Sequence, residues 1–541
     1  MNIRPNRQLA LACALLFAVG SARADDAQPL EELRTTVIGL LDALVQKGVI
    51  TREQAQTMVA DAQAKASAAA QQRAQQEAGE KDAVRVTYVP ETVRAKIREE
   101  MRAEVTEDVT ANVLAKAREE RWGVPGALDE WIRNVRIYGD VRARSEGDLY
   151  ASDNAPNVYF DFNAVNDAGG AGRAAENAFL NTSEDRNRAV GRMRVGALVN
   201  LGNAFKADLR LASGNVRSPV STNQTMGTYG GRWTVNVDKA AILWNPIFSH
   251  ASQELDFRFG RFGNPFVSTS ELIWDADLTF EGVAATYALD LFGRDDTRME
   301  RGLFLTVGAF PLQEVELSSD DKWLYGAQLG SLISFGDESS LRIAAGYFKY
   351  DNTVGVRNAF DSRQFDFTAP RFLQKGNTLF DIRNDSDPAT NLYALVGEYE
   401  LANASVLLDL GFGATHVMLG GEYVENMGWD QDKVLARTGD LIDERTKGYD
   451  ISLLVGRPTL SERWHWRAGL SYRYIERDAV LDAFTDSDFH LGGTDAKGYQ
   501  ALFDLGLSHG TWLRLRYLTA NEIDGPPLGI DVWQLDLNAQ F

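Results

Sequence analysis

The stretch Val135-Arg136-Ile137-Tyr138-Gly139-Asp140-Val141-Arg142-Ala143-Arg144 decides the fold. Its odd positions are apolar or small, and its even positions are polar apart from Tyr138, with Arg at three of them. A side-chain period of two puts one set on each face of a β-strand. The same grammar returns down the chain. Met193, Val195, Ala197 and Val199 alternate with Arg192, Arg194 and Asn200. Trp466, Ala468, Leu470, Tyr472 and Tyr474 alternate with Arg467, Ser471 and Arg473, and Leu513, Leu515 and Tyr517 with Arg514 and Arg516. The final stretch sets Trp533, Leu535, Leu537, Ala539 and Phe541 against Gln534, Asp536, Asn538 and Gln540. Each stretch is about 9–12 residues, the length that crosses a bilayer at a tilt of about 45°.

A soluble β-sandwich alternates too, so the connections must decide. About 16 strands begin near residues 135, 191, 204, 235, 255, 282, 302, 323, 340, 391, 414, 448, 464, 498, 511 and 531. Short links fall at 202–203, 335–339, 457–463 and 509–510, and long polar ones at 147–187, 351–390, 426–447 and 478–497. Short and long links alternate for most of the chain, as tight periplasmic turns and large external loops do in outer-membrane barrels. The expectation is an all-β transmembrane antiparallel barrel over residues 134–541, with an N-terminal periplasmic α-helical segment. The turn within 401–414 is not legible, which keeps about 14 or about 18 strands open.

Composition supports this choice. The chain has 541 residues, 56 Lys+Arg against 76 Asp+Glu, and a net charge of −20. Such acidity excludes nucleic acid as the main partner, because phosphate binding needs a basic face. Charged residues at 24% and hydrophobic ones at 44% exclude a disordered chain. Mean hydropathy is −0.27, and no apolar run reaches the ~18 residues of a spanning helix. A helical membrane protein is therefore excluded, whereas a membrane barrel, whose alternating strands average as hydrophilic, is not.

Residues 1–24 read as a secretory signal: Arg4 and Arg7, an apolar run over 9–19, then Ala22-Arg23-Ala24 for cleavage. The only cysteine, Cys13, lies inside that run, which rules out mature disulfides and Cys-based metal or thiolate chemistry. Residues 25–133 read as mostly helix. Leu30, Leu33, Val37, Leu40 and Leu44 form a heptad seam, and Thr51-Arg52-Glu53-Gln54 is a capping box that starts a second helix. Pro90 opens a third at its first position. Two readings stay open: a coiled-coil stalk or tether that joins subunits or contacts peptidoglycan, and a helical plug or solvated extension.

These residues resemble the bacterial "putative porin" family of outer-membrane proteins. The resemblance lies in Leu40-Leu41-Asp42 through Gly48-Val49-Ile50-Thr51, in Val86-Thr87-Tyr88-Val89 before Pro90, and in Ile137-Tyr138-Gly139-Asp140-Val141-Arg142. Gly260-Arg261-Phe262-Gly263-Asn264-Pro265-Phe266 and the terminal aromatic strand add to it. It covers nearly all of the mature chain and implies a trimeric or monomeric diffusion channel. The expected surroundings are outer-membrane lipid and lipopolysaccharide, with small hydrophilic solutes or ions in the pore. A structural tether between outer membrane and cell wall is the alternative.

Chemistry motifs are scarce, and the chain reads as no enzyme and as carrying no cofactor. His250, His416, His465, His490 and His509 are dispersed without zinc spacing. The acidic text over 430–443 lacks the ligand spacing of a calcium loop, so no metal is expected. Gly506-Leu507-Ser508-His509-Gly510 matches a nucleophile elbow, but here a strand follows a strand, where that elbow runs into a helix.

The informative polar constellation faces the lumen. Closing 16 strands joins the last to the first, so one wall carries Arg136, Arg142, Arg144, Arg192, Arg194, Arg210, Arg514 and Arg516, interrupted by Asp140, Asp208 and Asp536. The wall reads either as a basic ladder that orients solutes or as ion pairs that hold a wet barrel in shape. Residues 263–279 form the third external loop, which the resemblance implies is folded into the pore. Its Glu271, Asp275 and Asp277 then make a constriction opposite the arginines. Phe541, closing the outward aromatic row, is the expected recognition end for barrel insertion.

Overall fold

The computed structural model describes residues 134–541, apart from 215, 247–252, 292–300, 317 and 336–337. Before residue 134 it describes only Gln56, Thr57, Ala60, Ala64 and Ser67, all helical. The signal peptide, the heptad seam, the capping box and the helix opened by Pro90 lie outside the described residues.

Sixteen long strands run in chain order. They are β1 (Val135–Tyr150), β2 (Arg186–Gly202), β3 (Phe205–Ser213) and β4 (Val235–Trp244), then β5 (Gln253–Gly263), β6 (Thr279–Asp290), β7 (Arg301–Gln313) and β8 (Lys322–Phe335). β9 (Ser339–Asp351), β10 (Glu400–Phe412), β11 (Thr415–Asn426) and β12 (Lys447–Gly456) follow. β13 (Trp466–Ile475), β14 (Ala496–Ser508), β15 (Thr511–Glu522) and β16 (Ile530–Gln540) complete the set. Neighbours in sequence pair antiparallel, and β1 pairs with both β2 and β16, which closes the sheet into a barrel. Closure leaves no unpaired edge, the only way a sheet can sit in lipid.

The two faces are inverted relative to a soluble protein. Ile137, Val237, Leu329 and Ile451 point outward with more than half of their surface exposed, whereas Arg144, Asp148 and Glu422 point inward and are buried. A sandwich would hide the first set in its core; the outward set is the face a bilayer solvates. On the loop side this belt ends in a tyrosine row that includes Tyr347, Tyr423, Tyr474 and Tyr517. Each hydroxyl donates to a carboxylate, of Glu400 (2.6 Å), Glu425 (2.8 Å), Glu476 (3.1 Å) and Asp531 (2.7 Å) respectively. Rings with one wet end suit a lipid–water boundary. Phe541 follows β16, exchanges both backbone hydrogen bonds with Gly139 at 3.0 Å and lays its ring over it.

Two features depart from the sequence reading. The strand expected near 391 begins at Glu400, and the stretch 401–414 is one strand ended by a turn with Gly413 at φ +65°. The alternating residues Tyr393–Leu395 pair instead with Leu379–Asp381 as a hairpin inside the loop 352–399. Alternation marks a strand but not which sheet takes it. The second difference is in the lumen, which turns apolar near the loops. Phe262, Phe280, Phe310, Leu324, Phe348 and Leu401 face inward there and pack against folded-in loop residues such as Phe266, Leu272, Trp274 and Phe489.

Candidate functional site

The loop 264–278, third of the long loops, crosses the lumen in a series of anchored steps. Gln328 on β8 grips the backbone of Val267, accepting from its N–H at 2.7 Å and donating to its carbonyl at 2.8 Å. Glu422 on β11 then accepts from the Ser270 N–H (3.0 Å) and hydroxyl (2.6 Å) and from Ser268 (3.2 Å), while Asn403 donates to its other oxygen (3.2 Å). Next the loop meets the loop 476–495. Thr485 donates to the Leu272 carbonyl at 2.8 Å, and Asp275 accepts from the Ser487 N–H at 2.9 Å. Trp274 is buried among Phe280 (5.1 Å between ring centroids) and Phe348 (5.2 Å), both edge-on. The loop ends against β2, where Asp277 accepts from Arg194 (2.8 Å), Arg192 (3.2 Å) and the Thr222 hydroxyl (3.0 Å).

The three loop carboxylates live in different fields. Burial works against charge on Asp277, yet Arg192, Arg194 and Arg142 outweigh it and hold this carboxyl below its ordinary range. Burial, with the Asp486 charge beside it, pushes Glu271 up to about 7 despite Arg516, Arg473 and the Ala276 N–H. Asp275 is raised well above its usual value by burial and by Glu271, Asp277 and Asp486. Raised carboxyls favour the folded loop while protonated, so their stabilisation is full below the ordinary carboxylate range and is lost as pH rises through about 7. Bilayer recordings are therefore expected to show current fluctuations growing as pH rises from about 5 to about 7, with Glu271→Gln removing most of the rise. A flat profile in the parent protein counts against this assignment.

The arginine wall is more closely paired than alternation alone indicates. Arg192 and Arg194 share Asp140 at 3.0 and 2.6 Å in addition to Asp277. Arg144 is enclosed by Asp536 (2.7 Å), Asp488 (3.0 Å) and Glu146 (3.3 Å). Arg516 donates to Gln534 (2.8 Å) and to Asp488, whose carboxyl burial would raise but which Arg144, Arg516 and Arg142 hold far below its usual range. Arg514 and Arg467 both hold Asp504 at 2.7 Å, and Arg210 holds Asp238. Asp208 accepts from Tyr138 and from Lys239 at 3.4 Å. Arg136 stands exposed at the turn end of β1, and the guanidinium of Arg142 donates to the side-chain oxygen of Asn223. Sequence reasoning did not name Glu422, Gln328 or Asp488. The first two sit at inward positions of their strands, a legible signal; the reach of Asp488 from its loop to the wall leaves no trace in spacing.

Ser508 ends β14 and a two-residue turn leads into β15, so the elbow-like motif runs from strand to strand. Asp430 caps the short helix Gln431–Thr438, accepting from the N–H groups of Asp432 and Lys433 at 3.1 Å.

A closed antiparallel barrel with an apolar belt, a charged interior and a loop folded across it defines an outer-membrane channel. The chain belongs to the family described as "Putative porin", which matches residues 34–541. No curated protein matches it in sequence. Among solved structures it is similar to OprB of Pseudomonas putida, at 13% identity over 76% of this chain and 95% of that one, TM-score 0.42. It is also similar to the outer membrane channel DcaP of Acinetobacter baumannii, at 11% identity over 75% and 97%, TM-score 0.36. A third is OmpT of Vibrio cholerae in a trimer form, at 10% identity over 75% and 99%, TM-score 0.37. The assignment rests on the family match and on the strand pairing.

Proposed function

We propose that the barrel is a water-filled pore for passive diffusion of small hydrophilic solutes or ions, narrowed where the third loop meets the arginine wall. The single observation behind this reading is Asp277, carried across the lumen to lie between Arg192 and Arg194. Opposed charges at a narrow point set up a transverse field that orients dipolar solutes and weighs ionic ones by sign. In this reading Phe541 is the end recognised for insertion, and the N-terminal segment lies in the periplasm. Lipid and lipopolysaccharide surround the belt. A homotrimer belongs to the same proposal. The tether reading depends on helices outside the described residues, and the catalytic reading of Ser508 and His509 has only a turn to stand on.

Reversal potentials in a salt gradient test the constriction. Asp277→Asn is expected to move selectivity toward anions, and the double change Arg192→Gln with Arg194→Gln toward cations. If neither moves the reversal potential, the third loop does not set the selectivity of the pore.

A further inference from the structure

Three lumen-facing donors stand side by side, two of them without an acceptor among the described residues. Strand register puts Trp512 of β15 opposite Asn538 of β16, and Asn538 opposite Arg142 of β1. Residues directly opposite in an antiparallel sheet share a face, and here that face is the lumen, since Leu515, Leu535, Leu537 and Val141 of the other parity are the exposed ones. Strands lie about 4.8 Å apart, so the three side chains start within about 10 Å of one another.

Their chemistry is one-sided. The indole N–H of Trp512 is buried with no hydrogen-bond partner among the described residues. The amide nitrogen of Asn538, a residue 7% exposed, is also buried and without one. Arg142 has a single neutral partner, Asn223, and forms no ion pair among the described residues. The nearby acids pair elsewhere: Asp536 with Arg144, Asp140 and Asp277 with Arg192 and Arg194, Asp488 with Arg144 and Arg516, and Asp504 with Arg467 and Arg514. A buried donor without an acceptor is costly, and two of them beside an arginine with no ion pair mark the place on the pore wall where an acceptor from outside belongs.

The geometry points to this row as a binding site for a small monocarboxylate, taken up by the guanidinium of Arg142, the amide of Asn538 and the indole N–H of Trp512. Arg142 lies in the fields of Asp277 and Asp488 but forms no ion pair of its own, so the positive charge left to a solute is small, which favours a singly charged carboxylate over a doubly charged phosphate. The carboxylate oxygens offer acceptors to all three donors, and the indole ring gives an apolar face to the body of the solute. The site rests on the channel reading, because the solute must reach the lumen.

Equilibrium dialysis of labelled benzoate against the detergent-folded full chain reads the site without requiring conduction, so its failure is separate from a failure of the channel. Saturable binding is expected, weaker by about tenfold or more in Arg142→Gln, and by a few-fold in Trp512→Phe, which keeps the ring and removes the donor. Heat-modifiable migration checks that each variant is folded, and the milder Trp512→Phe carries the test if Arg142→Gln is not. Benzamide, neutral and of the same shape, is expected to bind at least about tenfold more weakly. No saturable binding by the parent, equal binding of benzamide, tighter binding of inorganic phosphate, or unchanged affinity in both folded variants would each overturn the site.

Discussion

Trp274→Ala is expected to raise single-channel conductance several-fold. The indole is 3% exposed and sits edge-on against Phe280 and Phe348, with Phe266 at 6.5 Å. Truncating such a side chain costs about 3–5 kcal/mol, and here the loss falls on one loop, since the strands keep their own ladders. Gln328 and Glu422 still hold the start of the loop and Arg192 and Arg194 its end at Asp277, so the stretch between them is the part released. A pore of unchanged conductance and selectivity in a folded variant would mean that the loop's position does not depend on this packing.

Arg144→Leu is expected to deplete the folded barrel from the outer membrane. The guanidinium is 3% exposed and serves Asp536, Asp488 and Glu146. Removing one partner of a buried pair costs about 3–5 kcal/mol, and in this case three carboxylates lose a shared cation. Arg142→Gln, two residues away on the same face, should leave the heat-modifiable fraction near that of the parent, because it strands no carboxylate. Equal depletion by both substitutions would show that the wall acts as one diffuse charge and not through particular pairs.

Much of the barrel was legible because its signal is local. The parity of residues 135–144 separates Ile137 and Val141 from Arg142 and Arg144 as the structure does. The site between the strands was legible only in part. Asp277 and Arg194 are 83 residues apart, and nothing in either segment encodes their meeting except complementary charge. The apolar loop-side lumen was missed because Phe262 and Phe280 break the polar parity at strand ends, where a lone aromatic reads equally well as part of a girdle. The hairpin at Leu379–Asp381 and Tyr393–Leu395 imitated a barrel strand because its own pairing obeys the same period.

The seam between β1 and β16 fixes the order of events in folding. Its contacts join the two ends of the barrel sequence: Arg144 reaches Asp536 across 392 positions. Loop-closure entropy and topology make so distant a pairing late, after the sequential hairpins have formed. Until then Arg144 and its carboxylates remain solvated, and the step that zips the last strand to the first is also the step that takes these charges out of water. Closure therefore carries the electrostatic barrier of folding. A chain halted just before it is an open, curved sheet with two reactive edges and an arginine cage not yet assembled.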